Sequence, residues 1–322
     1  MTSKHMTDLV LEHTSIKELP SSIGLQTKLE NLHLGHTHIQ SLPESIKNLT
    51  SFRYLGLCHC RELQTLPELP PSIEALDADG CISLENVAFR STASEQLKEN
   101  RVQVTFRNCL KLNKASLKAI ELNAQINLIK FSQQYISTCD RYCDFDHNKG
   151  IYVYPGNKIP DWLEYYTSTT APDYITIDLS SSPYLSKLGF IFGFIIPAIS
   201  SEGSTLKFKI SDGEDDGIKV YMDRTDYGIE MDHVYLLYNP KCSHYIASQL
   251  NDQSKIKIQI TASFSTLTSQ NVPVQLRGFG VSLVTLSKYD KFKQQLEICD
   301  GSAILNNVSS GRDIKVSRNL KS

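Results

Sequence analysis

The sequence predicts an α/β leucine-rich-repeat solenoid segment followed by an all-β antiparallel sandwich. Two observations support this fold class. Leucine pairs return every 23 residues near the start of the chain, and short segments with alternating apolar residues fill the second half. Paired leucines at a step of about 20–29 residues are typical of leucine-rich repeats. Strands with one apolar face each are typical of two packed antiparallel sheets.

Three leucine pairs at a step of 23 residues set the register of the predicted repeats, and two further copies of these positions follow, one after 21 residues and one after a longer insertion. Five residues after the first position of each pair stands a threonine or a cysteine, which can satisfy backbone groups where the chain leaves the strand. The pairs are Leu9/Leu11, Leu32/Leu34, Leu55/Leu57, Leu76/Ala78 and Val104/Phe106, and the small residues are Thr14, Thr37, Cys60, Cys81 and Cys109. Because repeats need caps and the first copy starts abruptly, we expect the chain to be part of a longer protein.

The side chains that flank the leucines are not constrained by the core. In repeat proteins this side of the strands forms a concave surface that binds partners. The predicted binding residues of this concave face are Glu12, His13, Asn31, His33, His36, Tyr54, Cys58, His59, Asp77, Asp79 and Arg107.

Three of these residues, His13, His36 and His59, occupy the same position in successive repeats. Neighbouring strands would place them about 5 Å apart. We interpret the column as part of a polar, neutral binding surface. A pH-sensitive or metal-bridged histidine ladder is the alternative, with Glu12 and Asp79 as nearby carboxylates.

The pattern changes along the chain and predicts four segments. Residues 114–137 follow a helical period, whereas the apolar residues of 206–210 and 256–260 alternate as in strands. The segments are leucine-rich repeats at 1–113, a helical cap and linker at 114–150, the sandwich at 151–288 and a flexible tail at 289–322.

Composition excludes several classes of function. A formal net charge of −2 gives no reason to expect nucleic acid or a membrane surface as a partner. The most apolar run, 188–199, contains a proline and is too short to cross a bilayer. The chain starts without an apolar leader, so we expect a cytoplasmic or nuclear protein with reduced cysteines.

Two polar clusters resemble metal sites only in part. Cys139, Cys143 and His147 lack the close spacing and the fourth ligand of most zinc sites. The acidic residues at 212–216 are spaced as in a calcium loop, but strand patterns flank them and favour a hairpin turn. No catalytic motif is present in the sequence. We therefore predict no enzymatic activity, no metal and no cofactor.

Several motifs, taken in order, resemble the C-terminal part of plant TIR–nucleotide-binding–leucine-rich-repeat disease-resistance receptors. They are TxIxxLPxSI at 14–23 and 37–46, FRNCLKLN at 106–113, YPGNKIPDWL at 154–163, DHVYLLY at 232–238 and GFGVSLVTL at 278–286. The resemblance implies the last repeats followed by a C-terminal jelly-roll/Ig-like domain. It also implies recognition of a pathogen effector protein, with other domains or chains of a full-length receptor as further partners. The NAD-cleaving TIR domain of such receptors has no counterpart in this sequence.

The PGxxIPxW motif within 154–163 has a structural interpretation. Pro155 and Gly156 suit a type II turn with Gly156 at positive φ, and Pro160 restricts Ile159 to an extended conformation. Trp162, the only tryptophan, is expected to anchor the sandwich against the helix or the repeats. Direct contact with a ligand is the alternative.

The sequence favours a recognition module that binds a protein through the concave face and the sandwich loops. The alternative is a carbohydrate-binding sandwich in which exposed tyrosines such as Tyr165, Tyr166 and Tyr227 stack on sugars.

Overall fold

The computed structural model describes residues 6–138, 149–168, 174–179, 188–200, 204–211, 217–225, 228–249, 255–265 and 271–309. The predicted metal-like clusters at Cys139, Cys143 and His147 and at 212–216 lie outside the described residues, as does Tyr227.

Five short strands in the first half lie parallel to one another with their leucines in register. Leu9 is opposite Leu32, and Leu32 is opposite Leu55, at the 23-residue step seen in the sequence. The strands of this half are β1 (Asp8–Val10), β2 (Asn31–His33), β3 (Tyr54–Gly56), β4 (Thr65–Leu66), β5 (Ala75–Asp77), β6 (Asn86–Val87) and β7 (Gln103–Thr105). Strands β1, β2, β3, β5 and β7 pair in this order, and β4 pairs separately with β6.

The segments that connect these strands are mainly extended. Two single-turn 3-10 helices, Ser21–Leu25 and Glu44–Asn48, each follow a proline, Pro20 or Pro43, in extended conformation. The first α-helix is α1 (Ala93–Gln96), one turn long, with the Thr92 side chain as its N-cap. Proline after leucine favours an extended chain because it fixes φ and lacks an N–H group.

The sheet does not end with the last of these strands. Strand β8 (Gly150–Pro155) pairs in parallel with β7, so that the Ile151 N–H donates to the Val102 carbonyl at 2.6 Å and the Phe106 N–H to Val153 at 2.8 Å. An unpaired edge of a sheet leaves N–H and C=O groups that another strand can satisfy.

From β8 onward the neighbours are antiparallel, and the whole forms one ten-stranded mixed sheet. The remaining strands are β9 (Tyr165–Ser168), β10 (Tyr174–Asp178), β11 (Gly189–Ile196), β12 (Ser204–Ser211), β13 (Ile218–Thr225), β14 (His233–Tyr238), β15 (Lys255–Ser265), β16 (Asn271–Val274) and β17 (Gly278–Val284). The ten-stranded sheet has the order β1-β2-β3-β5-β7-β8-β14-β11-β17-β9.

A second, antiparallel sheet has the order β10-β15-β12-β13, with β16 paired to β15. The predicted fold class, an α/β leucine-rich-repeat solenoid segment followed by an all-β antiparallel sandwich, is therefore wrong. The part of the chain that the structure describes is mostly β-sheet with few helices, and no solenoid is seen in it. The leucine period identified parallel strands, but it carried no information on what pairs with the last of them.

Two hydrophobic cores lie on opposite sides of the ten-stranded sheet. The first contains the repeat leucines, Tyr152 of β8 and Leu236 of β14. The second lies between the other side of β8, β14, β11 and β17 and the antiparallel sheet, and it includes Ile151 and Val153. Successive side chains of β8 point to opposite sides of the sheet and are therefore buried in different cores.

The longer helices lie around these cores. Helix α2 (Lys114–Thr138), within the segment predicted as a helical cap, packs Ile120, Ala124 and Leu128 into the first core. Helix α3 (Pro240–Ser248) follows β14, and helix α4 (Leu286–Ser309) forms the start of the segment predicted as a flexible tail. Among the described residues, no helix is both long and apolar enough to span a bilayer.

The PGxxIPxW segment packs on a part of the sheet where two glycines are paired. Gly193 and Gly280 are directly opposite each other on β11 and β17, and side chains of Ile159 and Leu163 occupy the space over them. A Cβ atom on Gly193 would lie 2.4 Å from Leu163 Cδ1. Glycine is required at this position because the neighbouring side chain fills the space that a Cβ atom would need.

The other residues of the motif have structural contacts. Trp162 is half-buried against the first core. Pro155 lies within β8 opposite His233, and the Gly156 N–H donates to the Asp232 carbonyl at 2.9 Å. The predicted positive φ at Gly156 is wrong, because it is not among the positive-φ glycines. Strand pairing up to Pro155 continues where a turn was expected.

Candidate protein-binding face

One side of the repeat strands is not covered by a core. The residues before and after the central apolar residue of each strand point to this side. We call it the open face and define it as the side of β1, β2, β3, β5 and β7 that faces away from the first core. Gln103 and Thr105 of the last strand are opposite Ile151 and Val153 of β8. Since paired residues point to the same side of a sheet, the open face continues directly into the second core. It ends where the antiparallel sheet begins to cover it.

Side chains of the open face contact each other across strands. The Asn31 amide donates to Asp8 Oδ1 at 2.6 Å, and this bond together with one from Thr7 lowers the pKa of Asp8. His33 Nδ1 lies 3.7 Å from Glu12 Oε1, and the rings of His33 and Tyr54 are 4.9 Å apart. These predicted binding residues thus form one contiguous polar and aromatic surface.

An acidic cluster marks the far end of the open face. Asp77 Oδ1 accepts from the Asp79 N–H at 3.0 Å and from the Thr105 hydroxyl at 3.3 Å. Burial, and then the charge of Asp79, raises the pKa of Asp77 to about 6. Arg107 Nε lies 2.7 Å from Asp79 Oδ2, and its backbone N–H donates to the other oxygen at 2.8 Å. Arg107 is therefore held in an ion pair at the border with the second core.

The three histidines of the column stack on one another. The ring centroids of His13 and His36 are 4.4 Å apart, and those of His36 and His59 are 4.9 Å apart. Burial and the neighbouring His13 lower the pKa of His36, so the neutral ring is favoured. Among the described residues, no group of three or more histidine, cysteine, aspartate or glutamate side chains is placed to hold a metal ion.

The backbone explains why these residues share a column. His13, His36 and His59 have φ of 57°, 60° and 56°, and the next two copies of the position are Gly80 at 71° and Asn108 at 56°. Each repeat therefore leaves its strand through a left-handed residue, a conformation that glycine and asparagine adopt most readily. Gly80 also makes room for the end of the stack, since a Cβ atom there would lie 2.4 Å from His59 Nδ1.

The cysteines near this column have structural contacts. The thiols of Cys60, Cys81 and Cys109 are buried, and each donates at 3.1 Å to a carbonyl of the preceding repeat. Burial raises the pKa of Cys60 to about 11. Cys58 is half-buried beside Gly35, and burial followed by the charge of Asp77 raises its pKa to about 12. The thiols of Cys58 and Cys60 therefore stay protonated at neutral pH.

The sequence did not reveal the junction between the open face and the second half. The Asn108 N–H donates to Nε2 of the buried His233 at 2.9 Å, and the Asn108 side chain donates to the Gly228 carbonyl at 2.8 Å. The Glu230 N–H donates back to Asn108 Oδ1 at 3.0 Å. The only signal in the sequence was that Asn108 stands in the histidine column.

The structure separates the other candidate residues from this face. Trp162 and Ile159 pack against the first core, on the opposite side of the sheet. Tyr166 has 68% of its surface exposed and Tyr165 packs against the second core, and both line a cavity on β9 together with Tyr174 of β10.

The known proteins that the chain matches are disease resistance or disease resistance-like proteins. No protein-family model matches the chain. Disease resistance protein RPP2B of Arabidopsis thaliana is 36% identical over 168 residues, which is 50% of this chain and 13% of that protein. The inactive disease resistance protein RPS4 of the same species is 26% identical over 76% of this chain and 21% of that protein. Disease resistance-like protein DSC1, also from A. thaliana, is 32% identical over 49% of this chain and 13% of that protein.

This chain therefore spans only about an eighth to a fifth of the length of these relatives. The matches lie in their C-terminal portion. The resemblance indicated by the repeat motifs and by PGxxIPxW is confirmed: over half to three quarters of its length, the chain is homologous to plant TIR–nucleotide-binding–leucine-rich-repeat disease-resistance proteins.

Proposed function

We propose that the chain is a non-catalytic recognition module of a plant immune receptor that binds a pathogen effector protein through the open face and the adjoining loops of the second half. The observation that carries this proposal is the contiguous surface formed by Glu12, His33 and Tyr54, which neither core uses. The names of the relatives, which are disease resistance proteins, support the immune context.

The composition of the open face suits binding of a protein. Tyrosine and histidine side chains present both an apolar ring and a hydrogen-bonding group, and aromatic residues are enriched in protein interfaces. Tyr54 is partly buried between His33 and Gly56, so its ring is already fixed before a partner arrives. A rigid aromatic side chain loses little conformational entropy on binding.

The border with the second half adds a second surface. Asp79 and Arg107 stand where the open face meets the antiparallel sheet. A partner that occupies this corner would contact both halves at once. The two halves share one continuous sheet. Other domains or chains of a full-length receptor would therefore contact the bound partner at the same corner.

The test uses the chain and a panel of candidate pathogen effectors in a pairwise binding assay. We expect at least one effector to bind, and the triple variant Glu12→Ala, His33→Ala, Tyr54→Ala to weaken that binding by about a hundredfold, as for loss of an interface centre. The matched control replaces the exposed Lys17, Glu18 and Lys28 with alanine, on segments outside the open face. Equal affinity of both triple variants would refute the proposed site.

A further inference from the structure

A cavity of about 270 Å³ lies where helix α2 crosses the start of strands β5 and β7. It is lined from the helix by Asn127, Lys130, Phe131 and Gln134. These residues are three, four and seven positions apart, so they project from one side of the helix. Ala124 and Leu128 of the same helix pack into the first core. One side of α2 thus stabilises the fold, and another presents polar groups to the cavity.

A buried arginine stands in the wall opposite the helix. Arg101 is 2% exposed, its Nη2 lies 3.2 Å from Glu99 Oε1, and its guanidinium lies 5.0 Å from the centre of the Phe89 ring. Within the described part of the chain, its Nε has no hydrogen-bond acceptor. A buried donor without an acceptor is destabilising and rare in native proteins.

The carboxylate beside this arginine is held only partly by the fold. Within the described part of the chain, Glu99 Oε1 has no hydrogen-bond donor and only its ion pair with Arg101. Glu99 is fully buried, and its Oε2 accepts from the Asn123 side chain at 2.8 Å. Asn123 in turn accepts from the Tyr152 hydroxyl at 3.1 Å and donates to Gln96 at 3.0 Å. Glu99 therefore balances the charge of Arg101, and its charge also acts on Lys130.

Lys130 brings a further positive charge to the cavity. Its ammonium group donates to the Glu99 carbonyl oxygen and, at 3.2 Å, to the Asn100 side-chain oxygen, both of which are uncharged. Three cationic side chains, Arg101, Lys130 and Lys149, line the cavity against two carboxylates, Glu74 and Glu99, which leaves a net charge of +1. Glu74 also forms an ion pair with Arg53 outside the cavity, and this ion pair reduces the effect of the Glu74 charge inside the cavity.

We propose that this cavity binds a small organic anion, a carboxylate or a phosphate monoester, with its charged group against Lys130 and Arg101 and its apolar part on Phe131. Cationic donors with incomplete hydrogen bonding form their strongest bonds with such anions. The volume suits a compact molecule rather than a peptide, and the amides of Asn127 and Gln134 supply further polar contacts. The site is on the opposite side of α2 from solvent-exposed Lys118 and does not depend on the proposed binding of an effector.

The test is calorimetric titration of the whole chain with benzoate, phenyl phosphate and inorganic phosphate at constant ionic strength, with neutral benzamide as a comparison. We expect at least one of the two aromatic anions to bind and benzamide not to bind. Tighter binding of phenyl phosphate than of benzoate identifies a phosphate ester as the natural class, and the reverse order identifies a carboxylate. Absence of binding by both aromatic anions overturns the proposal.

Variants locate the binding within the molecule. Lys130→Met should weaken binding of the better aromatic anion by about tenfold, the effect of one charge-assisted contact, whereas Lys118→Met on the exposed side of α2 should not change it. If Lys130→Met lowers the melting temperature too far for titration, Gln134→Leu, which removes a polar amide from the cavity lining, should also reduce binding. Equal binding by the cavity variant and Lys118→Met overturns the proposal.

Discussion

The backbone N–H of Asn108 donates a hydrogen bond of 2.9 Å to Nε2 of His233. The other ring nitrogen of His233, Nδ1, is 2.7 Å from the Met231 carbonyl oxygen, to which it must donate. Only the neutral imidazole has one acceptor and one donor nitrogen. Asn108 lies three residues after the end of β7 and His233 begins β14, so a neutral histidine joins the two halves of the chain.

This arrangement predicts a loss of stability in mild acid. Burial lowers the pKa of His233 to about 4 from its ordinary value of 6.5. The unfolded chain then binds more protons than the folded chain below pH 6.5. The stabilising contribution of neutral His233 is present above pH 6.5, decreases as the pH falls, and is lost completely near pH 4. It amounts to roughly 3 kcal/mol in the free energy of unfolding.

Denaturant unfolding at several pH values between 4 and 7.5 checks this expectation. The variant His233→Gln should be less stable at neutral pH, and its stability should depend less on pH over this range than that of the original chain. The variant His244→Gln, at an exposed position of α3, is the control and should retain the original pH dependence. An unchanged pH dependence in His233→Gln would contradict the assigned role.

The histidine stack predicts that Gly80→Ala is destabilising. Alanine at Gly80 would adopt a φ of 71° and place its Cβ atom 2.4 Å from His59 Nδ1. Strained backbone of this kind costs about 1–3 kcal/mol. The free energy of unfolding should fall by that amount, as measured with urea.

A double-mutant cycle separates the two causes of this loss. Combining Gly80→Ala with His59→Ala removes the steric contact but leaves the backbone strain, so the pair should be less destabilising than the sum of the single changes. His13→Ala, at the exposed end of the stack, should change stability by only about 0.5 kcal/mol. Strict additivity of the first two substitutions would show that ring and glycine do not interact.

The glycine pair under the PGxxIPxW segment gives another prediction. Gly193→Val would bring a side chain within 2.4 Å of Leu163 Cδ1 and 3.2 Å of Leu236 Cδ2. Overpacking a close-packed core costs about 1–3 kcal/mol, and the melting temperature should fall accordingly. Adding Leu163→Ala should restore part of the loss, because it opens the space that valine needs. A larger loss in the double variant would refute this packing.

The parallel strands could be predicted because their cause is local. Leu32 and Leu55 must be buried, their spacing repeats along the chain, and a fixed step implies neighbours in register. The stacking of His13, His36 and His59 followed from the same step. The period could not show what the residues of that column have in common. All of them have a positive φ, so the column is defined by left-handed backbone and not by a requirement of binding.

The continuous sheet could not be predicted because its cause is not local. Strands β7 and β8 are joined by backbone hydrogen bonds, such as that from Ile151 N–H to the Val102 carbonyl. Because every residue except proline carries the same backbone groups, no sequence pattern marks which strand will pair with β7. The solenoid prediction failed at this point. The buried contact between Asn108 and His233 was missed for the same reason, since 125 residues separate the two partners.

The charged cavity could not be predicted from the sequence either. Arg101 and Glu99 are close in the chain, but Lys130 reaches the site only because α2 lies across the start of β7. Sequence patterns give the period of the helix and not its position on the sheet. Long-range packing of this kind is determined by the whole fold.

The central claim is that a pathogen effector binds the open face. Hydrogen–deuterium exchange of the whole chain, with and without a bound effector, tests it most directly. We predict that binding slows exchange in the strands and turns of the open face, at 8–13, 31–36, 54–59 and 75–80, and leaves the 3-10 helices at Ser21–Leu25 and Glu44–Asn48 unchanged. Slower exchange confined to those helices, with the open-face peptides unaffected, would contradict the claim.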